Sequence, residues 1–118
     1  MAKNTVLTLK KKVDEGGKVT MVTSYDYTMA ALVEEAGIDM ILVGDSLGMT
    51  MMWYDSTLPV TMDDMVHHTR CVTRACNDTF VVGDMPFGSY QTDIPTAVAN
   101  AARLMKEGRC QAVKLEGG

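Results

Sequence analysis

Short apolar runs and longer amphipathic stretches alternate along the chain. Four runs of strand character occupy residues 18–23, 39–43, 79–83 and 111–115. The first, Lys-Val-Thr-Met-Val-Thr, is rich in β-branched residues. The second and third, such as Met40-Ile41-Leu42-Val43, are continuous apolar runs, the mark of strands buried on both faces. Between them apolar residues recur at helical spacing. Val6, Leu9 and Val13 mark a helix over 5–15 that Gly16-Gly17 ends. Asp26 can cap a second helix that runs to about Glu35, with Met29, Leu32, Val33 and Ala36 on its apolar face and Gly37 as its stop. Thr61, with Asp64 three residues on, starts a third, whose stripe is Met62, Met65, Val66, Thr69, Val72 and Cys76. The fourth, near 93–107, carries Pro95 in its first turn, a stripe of Ile94, Ala97, Val98, Ala101, Leu104 and Met105, and Gly108 past its end. Residues 44–60 and 85–92 read as loops, the first long enough to suggest function.

The order is a leading helix and then β, α, β, α, β, α, β, which demands a parallel sheet. A small open doubly wound sheet and the first half of an eight-stranded (βα)8 TIM barrel both fit. The last strand runs into Glu116-Gly117-Gly118 with no helix to cover the sheet. We therefore expect the half barrel: about the first four strands of a domain that normally needs ~250 residues. No linker or low-complexity segment divides residues 1–118, which are expected to form the amino-terminal half of one barrel domain.

All three later strands end at an acid. Val43-Gly44 leads to Asp45, Val82-Gly83 to Asp84, and Lys114-Leu115 to Glu116. Parallel strands gather their carboxyl ends at one edge, where α/β folds keep their chemistry. A carboxylate at the end of a buried strand is costly without a metal, ligand or partner. Hard cations such as Mg2+ take such oxygen ligands. Lys114 lies two residues before Glu116, so both side chains share a face. If that face is the barrel interior, Lys114 is a buried cation that calls for an anionic substrate or an acid partner. Asp45 or Asp84 alone reads first as a turn or cap residue. The set favours function, and its spacing leaves a metal site and an acid/base site both open.

Composition narrows the classes. The chain is 47% hydrophobic and 22% charged with a formal net charge of -4, so neither nucleic acid nor an anionic membrane surface is an expected partner. Lys10-Lys11-Lys12 reads as a solvated helix face. No apolar stretch is long enough to span a membrane, and the start lacks a signal-peptide apolar region. Cys71, Cys76 and Cys110 are odd in number and widely spaced, which predicts reduced thiols and a cytoplasmic location.

Gly44-Asp45-Ser46-Leu47 also matches the block of the GDSL serine hydrolases, and Asp64-Met65-Val66-His67 supplies a D-x-x-H. The order and spacing are wrong for that family, and the second block falls within a helix. His67 and His68 are expected at or near a helix surface.

Six blocks together resemble the ketopantoate hydroxymethyltransferases. They are Thr23-Ser24-Tyr25-Asp26-Tyr27, Val43-Gly44-Asp45-Ser46-Leu47-Gly48-Met49, Tyr54-Asp55-Ser56-Thr57-Leu58-Pro59-Val60-Thr61, His67-His68-Thr69-Arg70, Asp84-Met85-Pro86-Phe87-Gly88-Ser89-Tyr90 and Val113-Lys114-Leu115-Glu116-Gly117-Gly118. The resemblance implies a (βα)8 barrel of roughly twice this length. It implies transfer of a hydroxymethyl group from 5,10-methylenetetrahydrofolate to α-ketoisovalerate (3-methyl-2-oxobutanoate), giving ketopantoate for pantothenate and coenzyme A synthesis. It carries Mg2+ coordination onto Asp45, Asp84 and Glu116, and substrate contacts onto Asp45, Ser46, Asp84 and Lys114. It places the general base, a glutamate, beyond Gly118, and implies a homo-oligomer, a decamer. Trp53 stands where the family is expected to have glycine, and Arg109-Cys110-Gln111 is an unusual approach to the last strand. A different Mg2+-dependent carbon–carbon bond enzyme of the keto-acid barrel type, a serine hydrolase, and a non-catalytic half chain are the alternatives.

Overall fold

A computed structural model describes residues 3–117. The elements follow the expected order: α1 (Val6–Asp14), β1 (Met21–Thr23), α2 (Tyr27–Glu35), β2 (Met40–Val43), α3 (Leu47–Thr50), α4 (Met62–Ala75), β3 (Phe80–Asp84), α5 (Ile94–Lys106) and β4 (Ala112–Lys114). The four strands form one sheet in the order β1-β2-β3-β4, every pair parallel. Consecutive parallel neighbours joined by helices are the repeat of a (βα)8 barrel. The last glycine of the expected Glu116-Gly117-Gly118 turn lies outside the described residues.

Caps fix the helix starts. The Asp26 carboxylate accepts from the Met29 N–H at 2.7 Å, and Asp93 does the same for Thr96 at 2.7 Å. Thr61 and Asp64 form a reciprocal capping box at 3.0 Å in both directions. Met65, Val66, Thr69 and Val72 of α4 are buried as their spacing predicts, with Met62 and Cys76 half-buried at its ends. They pack with Ile41, Val43, Val81 and Leu104 to form the core between the helices and one face of the sheet.

Two predicted stripes are corrected. In α2, Ala30 is buried and Val33 half-buried, whereas Met29, Leu32 and Ala36 are exposed. In α5 only Leu104 is buried, and Ile94, Val98 and Met105 are exposed. Each helix packs against α4 on one side, and no described helix covers its other flank. The apolar face expected for α1 is only partly covered: Leu9 is half-buried, whereas Val6 and Val13 are exposed.

Polar contacts at the amino ends of the strands tie the layers together. Lys12 is no free solvated charge: its ammonium pairs with Asp39 at 2.8 Å, and Asp39 also accepts from the Thr20 N–H at 2.9 Å. The Lys12 bond first, and then the Thr20 N–H, hold the Asp39 carboxyl below its usual range. Glu34, at the end of α2, accepts from the backbone N–H groups of Asn77, Asp78 and Thr79 and from the Thr79 hydroxyl, all within 2.8–3.0 Å. It thereby fixes the turn that launches β3.

Residues 44–60, expected to be loop throughout, contain the single turn α3. Leu47 is fully buried and anchors it to the core. So short a helix, with Gly48 inside it, carries no readable period. Trp53 adopts φ 64, in the left-handed region that favours glycine, and is 87% exposed.

Candidate active site

The strand register builds the site. Val43 pairs with Gly83, and Asp84 pairs with Lys114, so the carboxyl ends of β2, β3 and β4 stand side by side. Registered residues on parallel neighbours point to the same face, and Asp84 and Lys114 therefore rise together. Asp84 is 5% exposed. Its Oδ2 accepts from the Asp45 N–H at 3.0 Å, and its Oδ1 lies 3.3 Å from the Lys114 ammonium. Lys114 lies 3.4 Å from Glu116 Oε1 as well. A Cβ on Gly44 would sit 3.2 Å from Ser46 Oγ and 3.4 Å from Asp84 Oδ2, so glycine there lets the three groups close up.

The charges act on one another. Burial first, and then the carboxylates of Asp84 and Glu116, push the Asp45 carboxyl up, with Lys114 pulling the other way. Burial works against the Lys114 ammonium, but Asp84 and Glu116 outweigh it and hold its pKa above the usual lysine value.

Not every expected member converges. Among the described residues, no three His, Cys, Asp or Glu side chains form a ready cation cage. The Lys114 ammonium sits between Asp84 and Glu116, and the Glu116 side chain is 75% exposed. The three-carboxylate cluster is therefore reduced to Asp45 beside Asp84, with Glu116 held on the lysine. Nor is Lys114 a fully buried cation, since its side chain is 39% exposed. The pair that remains fits a hard cation: Asp84 Oδ1 is buried and makes no hydrogen bond, and Asp45 adds a second carboxyl group beside it.

Supporting residues had weaker sequence signals. The Tyr25 hydroxyl pairs with Ser46 Oγ at 2.8 Å, and His68 Nδ1 lies 2.8 Å from the Tyr25 carbonyl oxygen. The Tyr90 hydroxyl donates to the Glu116 carbonyl at 2.8 Å and accepts from the Glu116 N–H at 3.1 Å, which fixes the backbone of Glu116 just past β4. Both tyrosines lie in the quoted blocks, but no spacing rule reveals such contacts between separate loops. The hydrolase reading fails on geometry. Ser46 bonds to a phenol and not to an imidazole, and the His67 ring lies beside Cys71.

A sequence model described as ketopantoate hydroxymethyltransferase matches residues 3–118. The chain belongs to the ketopantoate hydroxymethyltransferase family. A 3-methyl-2-oxobutanoate hydroxymethyltransferase of Clostridium novyi (strain NT) is 60% identical over 116 residues, which is 98% of this chain and 42% of that relative. The chain thus spans about two-fifths of the length of the curated relatives it matches. Solved structures carry the same fold at low identity. A phosphoenolpyruvate phosphomutase from Streptomyces platensis subsp. rosaceus superposes with TM-score 0.75 at 18% identity, over 95% of this chain and 38% of its own. A 2,3-dimethylmalate lyase of the PEP mutase/isocitrate lyase superfamily gives 0.67 at 15% identity, over 92% and 38%.

Proposed function

We propose that this chain is the amino-terminal half of a barrel that transfers a hydroxymethyl group from 5,10-methylenetetrahydrofolate to 3-methyl-2-oxobutanoate, forming ketopantoate for pantothenate synthesis. The observation that carries this reading is the buried Asp84 carboxylate, one oxygen on the Asp45 N–H and the other without a hydrogen bond beside Lys114. Family membership supports the reaction, and the geometry supports the roles. Asp45 and Asp84 would hold Mg2+, with Glu116 as the further acid at that edge. Bound Mg2+ supplies Lewis acidity toward a chelating α-keto acid.

The chain's own residues bind and orient. Lys114 presents a fixed positive charge for the substrate carboxylate. Ser46, its hydroxyl oriented by Tyr25, donates a hydrogen bond to a substrate oxygen. Tyr90 fixes Glu116 at the rim. The proton leaving the β-carbon of the keto acid needs a base, which the family resemblance assigns to a glutamate beyond Gly118. The carbon left electron-rich then forms the new bond to the one-carbon unit, whose two bonds to folate nitrogens break while water supplies the hydroxyl oxygen, and tetrahydrofolate leaves.

The test is direct. The intact protein, incubated with 3-methyl-2-oxobutanoate, 5,10-methylenetetrahydrofolate and Mg2+, should form ketopantoate, and chelation by EDTA should stop it. Full turnover in the presence of EDTA would overturn the metal assignment. Absence of ketopantoate under all conditions would overturn the reaction.

A further inference from the structure

At the amino ends of the strands, away from Asp84 and Lys114, a cavity of about 200 Å3 lies between α4 and the turn into β4. Lys3, Arg74 and Arg109 line it, and no acidic side chain does. Among the described residues none of these three cations makes an ion pair; Lys18, Arg70 and Lys106 make none either, but only Lys3, Arg74 and Arg109 share a cavity. The concentration of positive charge is local, since the chain as a whole carries -4.

Two features hold the wall in place. Gln111 uses its side-chain oxygen to accept from the Val81 N–H at 2.8 Å, so its amide NH2 is left as a donor beside the cations. The Thr73 hydroxyl donates to the Gly108 carbonyl at 2.7 Å and pins the turn that presents Arg109. Arg109 itself sits at φ 67, a left-handed conformation that a non-glycine residue adopts only at a cost in stability. A strained arginine aimed with a second arginine and a lysine into an acid-free cavity is arranged for an oxyanion. Guanidinium forks match phosphate oxygens in pairs, and three unneutralised charges suit a multiply charged anion.

We propose that this cavity binds the phosphate group of a small anion, at the end of the sheet opposite the reaction site. The assignment does not depend on the reaction. Thermal unfolding of the intact protein tests it, with inorganic phosphate titrated at constant ionic strength against NaCl. Phosphate should raise Tm saturably by a few degrees, and NaCl should not. Glycerol 3-phosphate, run in parallel, distinguishes a free anion from the phosphoryl end of a larger molecule, and a shift from either supports the site. Arg109→Gly should leave Tm in phosphate-free buffer unchanged or higher, because glycine accepts φ 67 without strain, yet lose most of the shift. Arg74→Gln, which leaves that turn intact, should lose it too. A shift retained in both variants, a shift equalled by NaCl, or no shift in the parent would overturn the proposal. So would a change of mass in solution by Arg74→Gln with no phosphate effect, since an acid of a second copy would then fill the cavity.

Discussion

Replacing Glu34 should cost more than any other single change on the helical surface. Its carboxylate is the common acceptor for three consecutive N–H groups and one hydroxyl. Thr79 is 2% exposed, so in Glu34→Ala its N–H is left dry and unpaired, at about 1–3 kcal/mol. The half-buried Asp78 N–H adds roughly 0.5–1 kcal/mol, and the exposed Asn77 N–H rehydrates at little cost. The sum is about 1.5–4 kcal/mol. Glu34→Gln keeps one acceptor oxygen but turns an NH2 toward donors, for about 1–2 kcal/mol. The pH dependence has a definite sign. Burial alone would raise the Glu34 pKa, but the N–H groups of Asn77, Thr79 and Asp78 outweigh it and hold it below the usual glutamate value. Its contribution is therefore complete above the unfolded value and is lost as pH falls through the folded one. Urea unfolding of the intact protein and both variants, at neutral pH and stepwise down through pH 4, measures this. A Glu34→Gln gap under 0.5 kcal/mol at neutral pH, or one that does not narrow with acid, would refute the reasoning.

Gly83→Ala would set a Cβ 2.9 Å from Leu104 Cδ2 in a fully buried contact, and should cost about 1–3 kcal/mol in the same assay. Ser46→Ala should retain measurable ketopantoate formation, reduced by about 1–3 kcal/mol in kcat/KM, and Ser46 should resist a fluorophosphonate probe; covalent labelling would restore the hydrolase reading. Residues 1–118 expressed alone should make no ketopantoate and should self-associate in light scattering, because β1 and β4 are sheet edges and apolar residues such as Met21, Leu32, Ile94 and Val98 are exposed; a stable, active monomer would contradict this.

Strand and helix identities were legible because they rest on local pattern. The acids were legible for the same reason, each following a run of strand character, although the run before Glu116 is only half-buried. Distant partners were not. Met29 and Ile94 fit their helical stripes, but their exposure depends on which flanks have neighbours. Lys12 reads as one of three surface lysines until Asp39 is brought to it from 27 residues away. Glu34 looks like an ordinary charge at a helix end, because its donors lie more than 40 residues on. Glu116 had the right position in sequence, but the lysine beside it takes its carboxylate.

Calorimetric titration of Mg2+ into the intact protein with 3-methyl-2-oxobutanoate present tests the central claim most directly, because it reads the site without turnover. The parent should bind Mg2+ saturably, and Asp84→Asn, which keeps the shape but removes the charge of a carboxylate buried at the carboxyl ends of the strands, should weaken binding at least tenfold while unfolding as cooperatively as the parent. Unchanged Mg2+ binding in a folded Asp84→Asn protein would contradict the account.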